Sequence, residues 1–381
     1  MDNPTQRFQV ARQDLRRTRL VADPDAPAAR PLADGEARLR IDTFALTANN
    51  ITYAAFGEAM KYWQFFPTGD AEWGCIPVWG FAEVVESRAE GVAAGERLYG
   101  YLPMGTYLVV QPGRASARGF VDASAHRRDL PAVYNQLVRC AADPGYTAGR
   151  EAQQALLQPL FVTSFLIDDF LAENGFFGAA QLLLSSASSK TAYATAFFLA
   201  RRRGVPGAPR VVGLTSAGNL DFCHGLGCYD QLQTYEEATT LDAAVPTVYV
   251  DFAGNADLRR RVHGHFSEQL RYSCAVGGTH WAELGAGSGL PGPRPVLFFA
   301  PARIAQRSAA PPAGWGTAEL QQRIGVAWRD FVTAVDNPAD PWLRVQIGCG
   351  AVAVSAALLA QLDGRVDPRS GLMLSLQPQR S

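Results

Sequence analysis

The chain has 381 residues, 48% of them hydrophobic, and a formal net charge of −1. That length is enough for two domains, each with its own core. The near-neutral charge gives no electrostatic reason to expect nucleic acid or an anionic membrane surface as a partner.

Up to about residue 145 the chain reads as β-rich. Residues 37–46 alternate apolar and polar side chains, as a half-buried strand does. Strand-like runs follow at 78–86, 97–101 and 107–111, separated by the turn residues Gly91, Gly95, Pro103 and Gly105. Short strands at this spacing predict a compact barrel. The pattern changes near Gly145. Residues 151–174 carry helical periodicity, with Gly175 as terminator. Strands are then expected at 182–184, 210–214, 248–252, 273–277 and 296–300, and helices at 190–203, 220–225 and 257–270. Such alternation predicts parallel strands with right-handed crossovers, hence a doubly wound α/β sheet. A Pro/Ala/Gly-rich connection at 308–316 leads to an amphipathic helix carrying Ile324, Trp328 and Phe331. A helix near 352–362 and a last strand at 371–376 close the chain, and that strand can complete the N-terminal barrel. The expected division is 1–150, 151–305 and 306–381, the last part returning to the first domain.

The most informative stretch is 182–200, LLLSSASSKTAYATAFFLA: a short apolar strand, a small-residue turn and a helix. That is the layout of a dinucleotide-binding βα unit, whose turn ordinarily carries glycines so that backbone can approach a pyrophosphate. Here the turn is Ser185, Ser186, Ala187, Ser188, Ser189 and Lys190, without glycine. Hydroxyls and one cation stand in for bare backbone, and Lys190 is one of only two lysines, with Lys61. A serine-rich helix start also reads as a simple N-cap. The Lys190-Thr191 pair lacks both P-loop glycines and a magnesium carboxylate.

Six cysteines (Cys75, Cys140, Cys223, Cys228, Cys274, Cys349) are scattered without a CxxC, so no disulfide framework is expected. Cys223, His224, Cys228, His263 and His265 lack the spacing of a zinc site, and no metal is expected. No G-x-S-x-G elbow occurs. The N-terminus lacks an apolar signal core. No apolar run reaches the ~18 residues of a membrane span; 161–170 is broken by Asp168 and Asp169. The expectation is a soluble, cytoplasmic protein without membrane or nucleic-acid partners.

Several segments together carry a family resemblance: Gly35-Glu36 with LRIDTFALTANNITYAAFG (39–57), PVWGFAEVVES (77–87), GERLYGYLP (95–103), LLLSSASSKTA, GLTSAGNLDFCHGLGCYDQLQTY (213–235), VYVDFAGN (248–255) and YSCAVGGTHW (272–281). Their order resembles the medium-chain dehydrogenase/reductase superfamily, especially its zinc-free quinone and enoyl reductase branch. More narrowly it resembles a related branch of the DUF2855 type. The resemblance runs from about Gly35 to the C-terminus. It implies a GroES-like β-barrel substrate domain from both chain ends and an inserted Rossmann domain. Ser186, Ser189, Lys190 and Ala192 then stand where that superfamily has glycines.

On this resemblance the cofactor is NADP(H). Ser186, Ser188, Ser189, Lys190 and Thr191 would face its phosphates, each charge-assisted bond contributing ~1.5–3 kcal/mol. The second strand ends in Thr215 and Ser216 rather than an acid, which favours a 2′-phosphate over a bare ribose diol. Its counter-charge would come from Lys190 or from Arg201, Arg202 and Arg203, which equally read as a solvated helix end. Asp251, Gly277 and His280 lie at later strand ends, where His280 can reach the substrate or the nicotinamide carboxamide. Hydride transfer needs a donor to polarise oxygen and sometimes an acid to protonate carbon. Asn50 and Tyr53 are assigned these roles, with Asn49 and Tyr62 lining the substrate; the alternative is an Asn turn and core tyrosines. The resulting expectation is a zinc-free reductase acting on a polarised C=C or C=O of a small organic substrate. Two other readings remain open: a ligand-binding protein of this fold without hydride chemistry, or a lyase or isomerase. An edge strand at 296–300 would suit a homodimer.

Overall fold

The computed structural model describes residues 5–252, 254–276 and 289–378. The chain forms two compact units, Met1–Leu156 with Arg344–Ser381, and Leu157–Leu343.

The first unit opens on a hairpin of β1 (Gln6–Ala11) and β2 (Asp14–Ala22). There follow β3 (Ala37–Leu46), helix α1 (Ala48–Ala55), the short β4 (Trp73–Gly74), β5 (Pro77–Ser87), β6 (Arg97–Pro103), β7 (Tyr107–Val110), β8 (Pro112–Ser116), β9 (Gly119–Asp122) and β10 (Gln136–Arg139). The hairpin joins β4 in a three-stranded antiparallel sheet. A buried ion pair ties it down: Arg7 donates to Asp23 at 2.8 Å, and the other Asp23 oxygen accepts from Thr106 N, Thr106 Oγ1 and Tyr107 N. Each lone pair of that carboxylate is used, which is the condition for burying a charge at all.

Helix α2 (Glu151–Glu173) leads into the second unit. There β11 (Gln181–Leu184), α3 (Lys190–Ala200), β12 (Arg210–Thr215), α4 (Leu220–Gly225), β13 (Gln231–Thr234), β14 (Thr247–Asp251), α5 (Ala256–Phe266), β15 (Leu270–Ala275) and β16 (Val296–Leu297) alternate. Helices α6 (Ala300–Ser308) and α7 (Thr317–Val335) follow. The six strands are parallel in the order β13-β12-β11-β14-β15-β16. Counted from β11, that is 3-2-1-4-5-6, the doubly wound order whose reversal beside the first strand opens a ligand crevice. Leu182, Leu183 and Leu184 are fully buried, as a central parallel strand covered on both faces requires. Phe161 of α2 meets Phe198 of α3 and Phe331 of α7, each at 5.2 Å between ring centres.

The chain then returns through β17 (Arg344–Cys349), α8 (Gly350–Leu362) and β18 (Ser370–Ser375). β18 pairs antiparallel with β3, which builds a nine-stranded sheet, β17-β18-β3-β5-β6-β10-β9-β8, with β7 also on β3. The last strand therefore does join the N-terminal sheet.

Several expectations change. Residues 306–343 belong to the second unit rather than to the return, because Trp328 and Phe331 of α7 pack on Phe161. The apolar run 296–300 yields only a two-residue strand; Pro301 in the first turn of α6 begins a helix instead. Among the described residues one helix, Ala148–Glu173, is long and apolar enough to cross a membrane, its most apolar window having mean hydropathy 1.4. The expectation counted unbroken apolar residues, whereas that window reaches this mean with Asp168 and Asp169 in the helix. Of its most apolar window 56% is buried inside the protein, and Asp168 and Asp169 are held by Arg202 and by Arg303 and Arg307.

Candidate functional site

In the first unit the sequence-predicted residues gather around α1. Thr47 caps the helix, and Asn50 closes a capping box by accepting from Thr47 N at 2.7 Å. The Asn50 amide also donates to Pro77 O at 2.9 Å, and the residue is 3% exposed. That bond pins α1 to β5, and the amide expected to donate to substrate is engaged in it. Tyr53, one helical turn on, does lie in an aromatic cluster. Its hydroxyl accepts from Trp79 Nε1 at 3.3 Å and bonds the side chains of Asn49 and Tyr134. Its ring lies 4.7 Å from that of Tyr62 and 5.5 Å from that of Tyr101. Burial raises the Tyr53 hydroxyl well above the usual phenol range, so it is protonated at neutral pH. Tyr62 stands 3.4 Å, oxygen to oxygen, from Tyr134. Asn49, Tyr53 and Tyr62 are thus brought together. Trp79, Tyr101 and Tyr134 were missed, because they come from β5, β6 and a later turn, and only sheet register places them here. The Tyr101 hydroxyl is buried without a hydrogen-bond partner.

In the second unit the serine turn joins β11 to α3. Ser186 has φ +52°, the left-handed conformation that usually selects glycine. The turn keeps the bend without the residue that makes it easy. Ser189 N donates to Ser186 O at 2.7 Å, and the Ser189 hydroxyl caps α3 by accepting from Ala192 N. Ala187 is fully buried, directed at Gly213 of β12, where an added Cβ would lie 2.9 Å from the Ala187 methyl. The glycine that permits close approach has moved from the turn to the strand beneath it.

Two tyrosines brace this turn. Tyr229 donates to Ala187 O at 2.7 Å, and the Tyr235 hydroxyl lies beside Ser186. Ser188 is buried, accepting from Asn219 at 3.1 Å and Thr215 at 3.4 Å. Thr215, expected to face a nucleotide, is fully buried and committed to that network. Ser216, the next residue, is exposed. Asp251, also expected at the cofactor, is likewise engaged within the protein. It is 1% exposed and accepts from Ser185 Oγ, Gly254 N and, twice, Arg259, which ties the turn to α5. Lys190 and Thr191 form the first turn of α3 and are half-buried. Gly277 and His280 lie outside the described residues. Among the described residues no group of three or more His, Cys, Asp and Glu is placed to hold a metal ion.

Solved quinone and enoyl reductases share this fold, a GroES-like unit with a Rossmann unit. The quinone oxidoreductase from Coxiella burnetii matches with a TM-score of 0.56 at 14% identity, covering 98% of this chain and 99% of that one. CurA from Vibrio vulnificus, solved in complex with NADPH, matches at 0.54 and 13%, covering 98% and 100%. CurK enoyl reductase matches at 0.52 and 13%, covering 98% and 99%. Residues 44–367 match the family model described as "Protein of unknown function (DUF2855)", and the chain belongs to that family. No curated protein matches it.

Proposed function

We propose that the chain is an NADP(H)-dependent, zinc-free reductase acting on a polarised C=C or C=O of a small organic molecule. The observation that carries this reading is Ser186. It preserves a left-handed bend between the first strand of a 3-2-1-4-5-6 sheet and an eleven-residue helix, where a glycine-rich turn would otherwise stand. The residues available suit a phosphorylated nucleotide. Ser189, Lys190 and Thr191 would offer hydroxyls, charge and helix N-terminal amides to its phosphates. Ser216 is exposed at the end of β12, where no acid would repel a 2′-phosphate.

The bound nicotinamide would supply the hydride. The chain's own part is to orient the substrate and deliver a proton. Tyr53, kept neutral by burial, is the proton source in this reading, with Asn49 and Trp79 fixing its hydroxyl. Tyr62 lines the substrate. The Val296 side chain on edge strand β16 is 47% exposed, which supports a homodimer through that edge. The unpaired cysteines accord with a cytoplasmic, reducing setting.

A second reading has its own support. With Tyr235 beside Ser186 and Tyr229 on Ala187, the turn is braced from within, as suits a protein of this fold that has given up hydride chemistry for ligand binding or for a lyase or isomerase reaction. Titration with NADPH and NADH, followed by nicotinamide fluorescence, separates the two. The reductase reading expects saturable NADPH binding, weaker for NADH and weakened roughly tenfold in Lys190→Ala, as loss of a charge-assisted bond implies. No binding of either nucleotide at millimolar concentration would sink it. Binding without oxidation by any enone or quinone would favour the second.

A further inference from the structure

The second unit carries a concavity of about 400 Å³ at the opposite end of α3 from the serine turn. The helix has eleven residues, so the two ends lie roughly 16 Å apart. The floor is apolar, built by Phe165 of α2, Phe197 of α3, Val326 of α7 and Trp315 just before α7. Helix α7 buries Trp328, Phe331 and Val335 on one stripe. Arg323, Val326 and Asp330 form another, spaced three and four residues apart, and this one lines the cavity. Val326 is left 48% exposed there.

The charges around this floor divide into spent and available ones. Asp168 takes two bonds from Arg202, each 2.7 Å, and Asp169 is held by Arg303 and Arg307. Both acids are turned inward, with side-chain exposures of 11% and 12%. Arg201 and Arg323, by contrast, are 56% and 49% exposed. Their partners, Asp330 and Glu319, are similarly exposed, and pairs of that kind contribute little in water. Each guanidinium is also held against a ring: Arg201 is 5.6 Å from the centre of Phe197, and Arg323 is 4.3 Å from the centre of Trp315. The face of each ring attracts the guanidinium and favours its place beside the floor.

We propose that this cavity binds an aromatic carboxylate, its ring on the phenylalanine and valine floor and its carboxylate taken by Arg201 and Arg323. The volume is that of a small-molecule pocket, and apolar walls with a few convergent charged groups are its usual composition. The site is separate from the serine turn and does not depend on nucleotide binding.

The probe is 2-naphthoate, titrated into the full chain by isothermal calorimetry with 2-naphthalenemethanol as the uncharged isostere. One saturable site is expected for the carboxylate, with the alcohol at least roughly tenfold weaker. Arg323→Gln, at an exposed position that leaves the fold intact, is expected to weaken naphthoate by a similar factor. Val326→Trp fills the floor and is expected to abolish binding, provided circular dichroism shows it folded. NADPH titration of both variants should match the unmodified chain. The proposal is overturned if naphthoate fails to saturate by about 10 mM, a concentration at which even a weak fragment registers. It is equally overturned if the alcohol binds as well as the acid, or if Arg323→Gln leaves the affinity unchanged.

Discussion

Asp251 ends β14 with four donors on its carboxylate: Ser185 Oγ and Gly254 N on one oxygen, and two Arg259 nitrogens on the other. Both charged side chains are buried, so removing one partner strands the other. Asp251→Asn is expected to cost about 3–5 kcal/mol in urea unfolding, whereas the double change Asp251→Leu with Arg259→Met should recover most of it. A cost under about 1 kcal/mol for the single change would show that the network is not structural. Asp251 was legible in the sequence as a polar residue at a strand end. Arg259 was not, because nothing in its local pattern distinguishes it from Arg260 and Arg261; only the fold buries it. Thr215 teaches the same point. Its position at the end of β12 was readable, but its hydroxyl turns inward to Ser188 while the following Ser216 faces solvent.

At the scale of elements, the serine turn and β12 form one packed joint. A Cβ on Gly213 would come within 2.8–2.9 Å of Leu232, Tyr229 and Ala187. Gly213→Ala therefore forces the turn off the strand, and NADPH affinity is expected to fall at least roughly tenfold, together with a lower melting temperature. Unchanged affinity in the fluorescence titration would mean that the turn's seat on β12 is irrelevant to binding. The alternation of strands and helices was readable because buried parallel strands and amphipathic helices differ in period. Several elements escaped that reading, β13 and β17 among them, and two cases have a clear cause. The hairpin β1-β2 carries arginines across much of β2, which masks its alternation. The apolar run at 296–300 suits strand or helix equally, and Pro301 decided for the helix.

The whole molecule holds a histidine whose titration reports on stability. His263 is fully buried, Nε2 at 2.9 Å from Ser273 Oγ and Nδ1 at 2.9 Å from Pro291 O. With Nδ1 donating to the carbonyl, Nε2 is left to accept from the serine. Burial lowers its pKa from the usual 6.5. A depressed histidine pKa stabilises the fold fully above the unfolded value and loses that contribution as pH falls through the folded one. Thermal denaturation should therefore show a wide melting-temperature gap between the unmodified chain and His263→Gln near pH 8, narrowing towards about pH 5. A gap constant across that range would contradict the assignment. The sequence by itself determined the class of this protein: a β-rich first part, an inserted α/β unit and a serine turn in a nucleotide-binding layout. These follow from periodicity and from residues adjacent in the chain, where backbone geometry is local. Which hydroxyls remain exposed, that the Asn50 amide bonds Pro77 O, and that Tyr101 and Tyr134 join Tyr53 were decided by tertiary structure alone. Burial and hydrogen-bond satisfaction depend on which distant strands pair, and no local pattern encodes them.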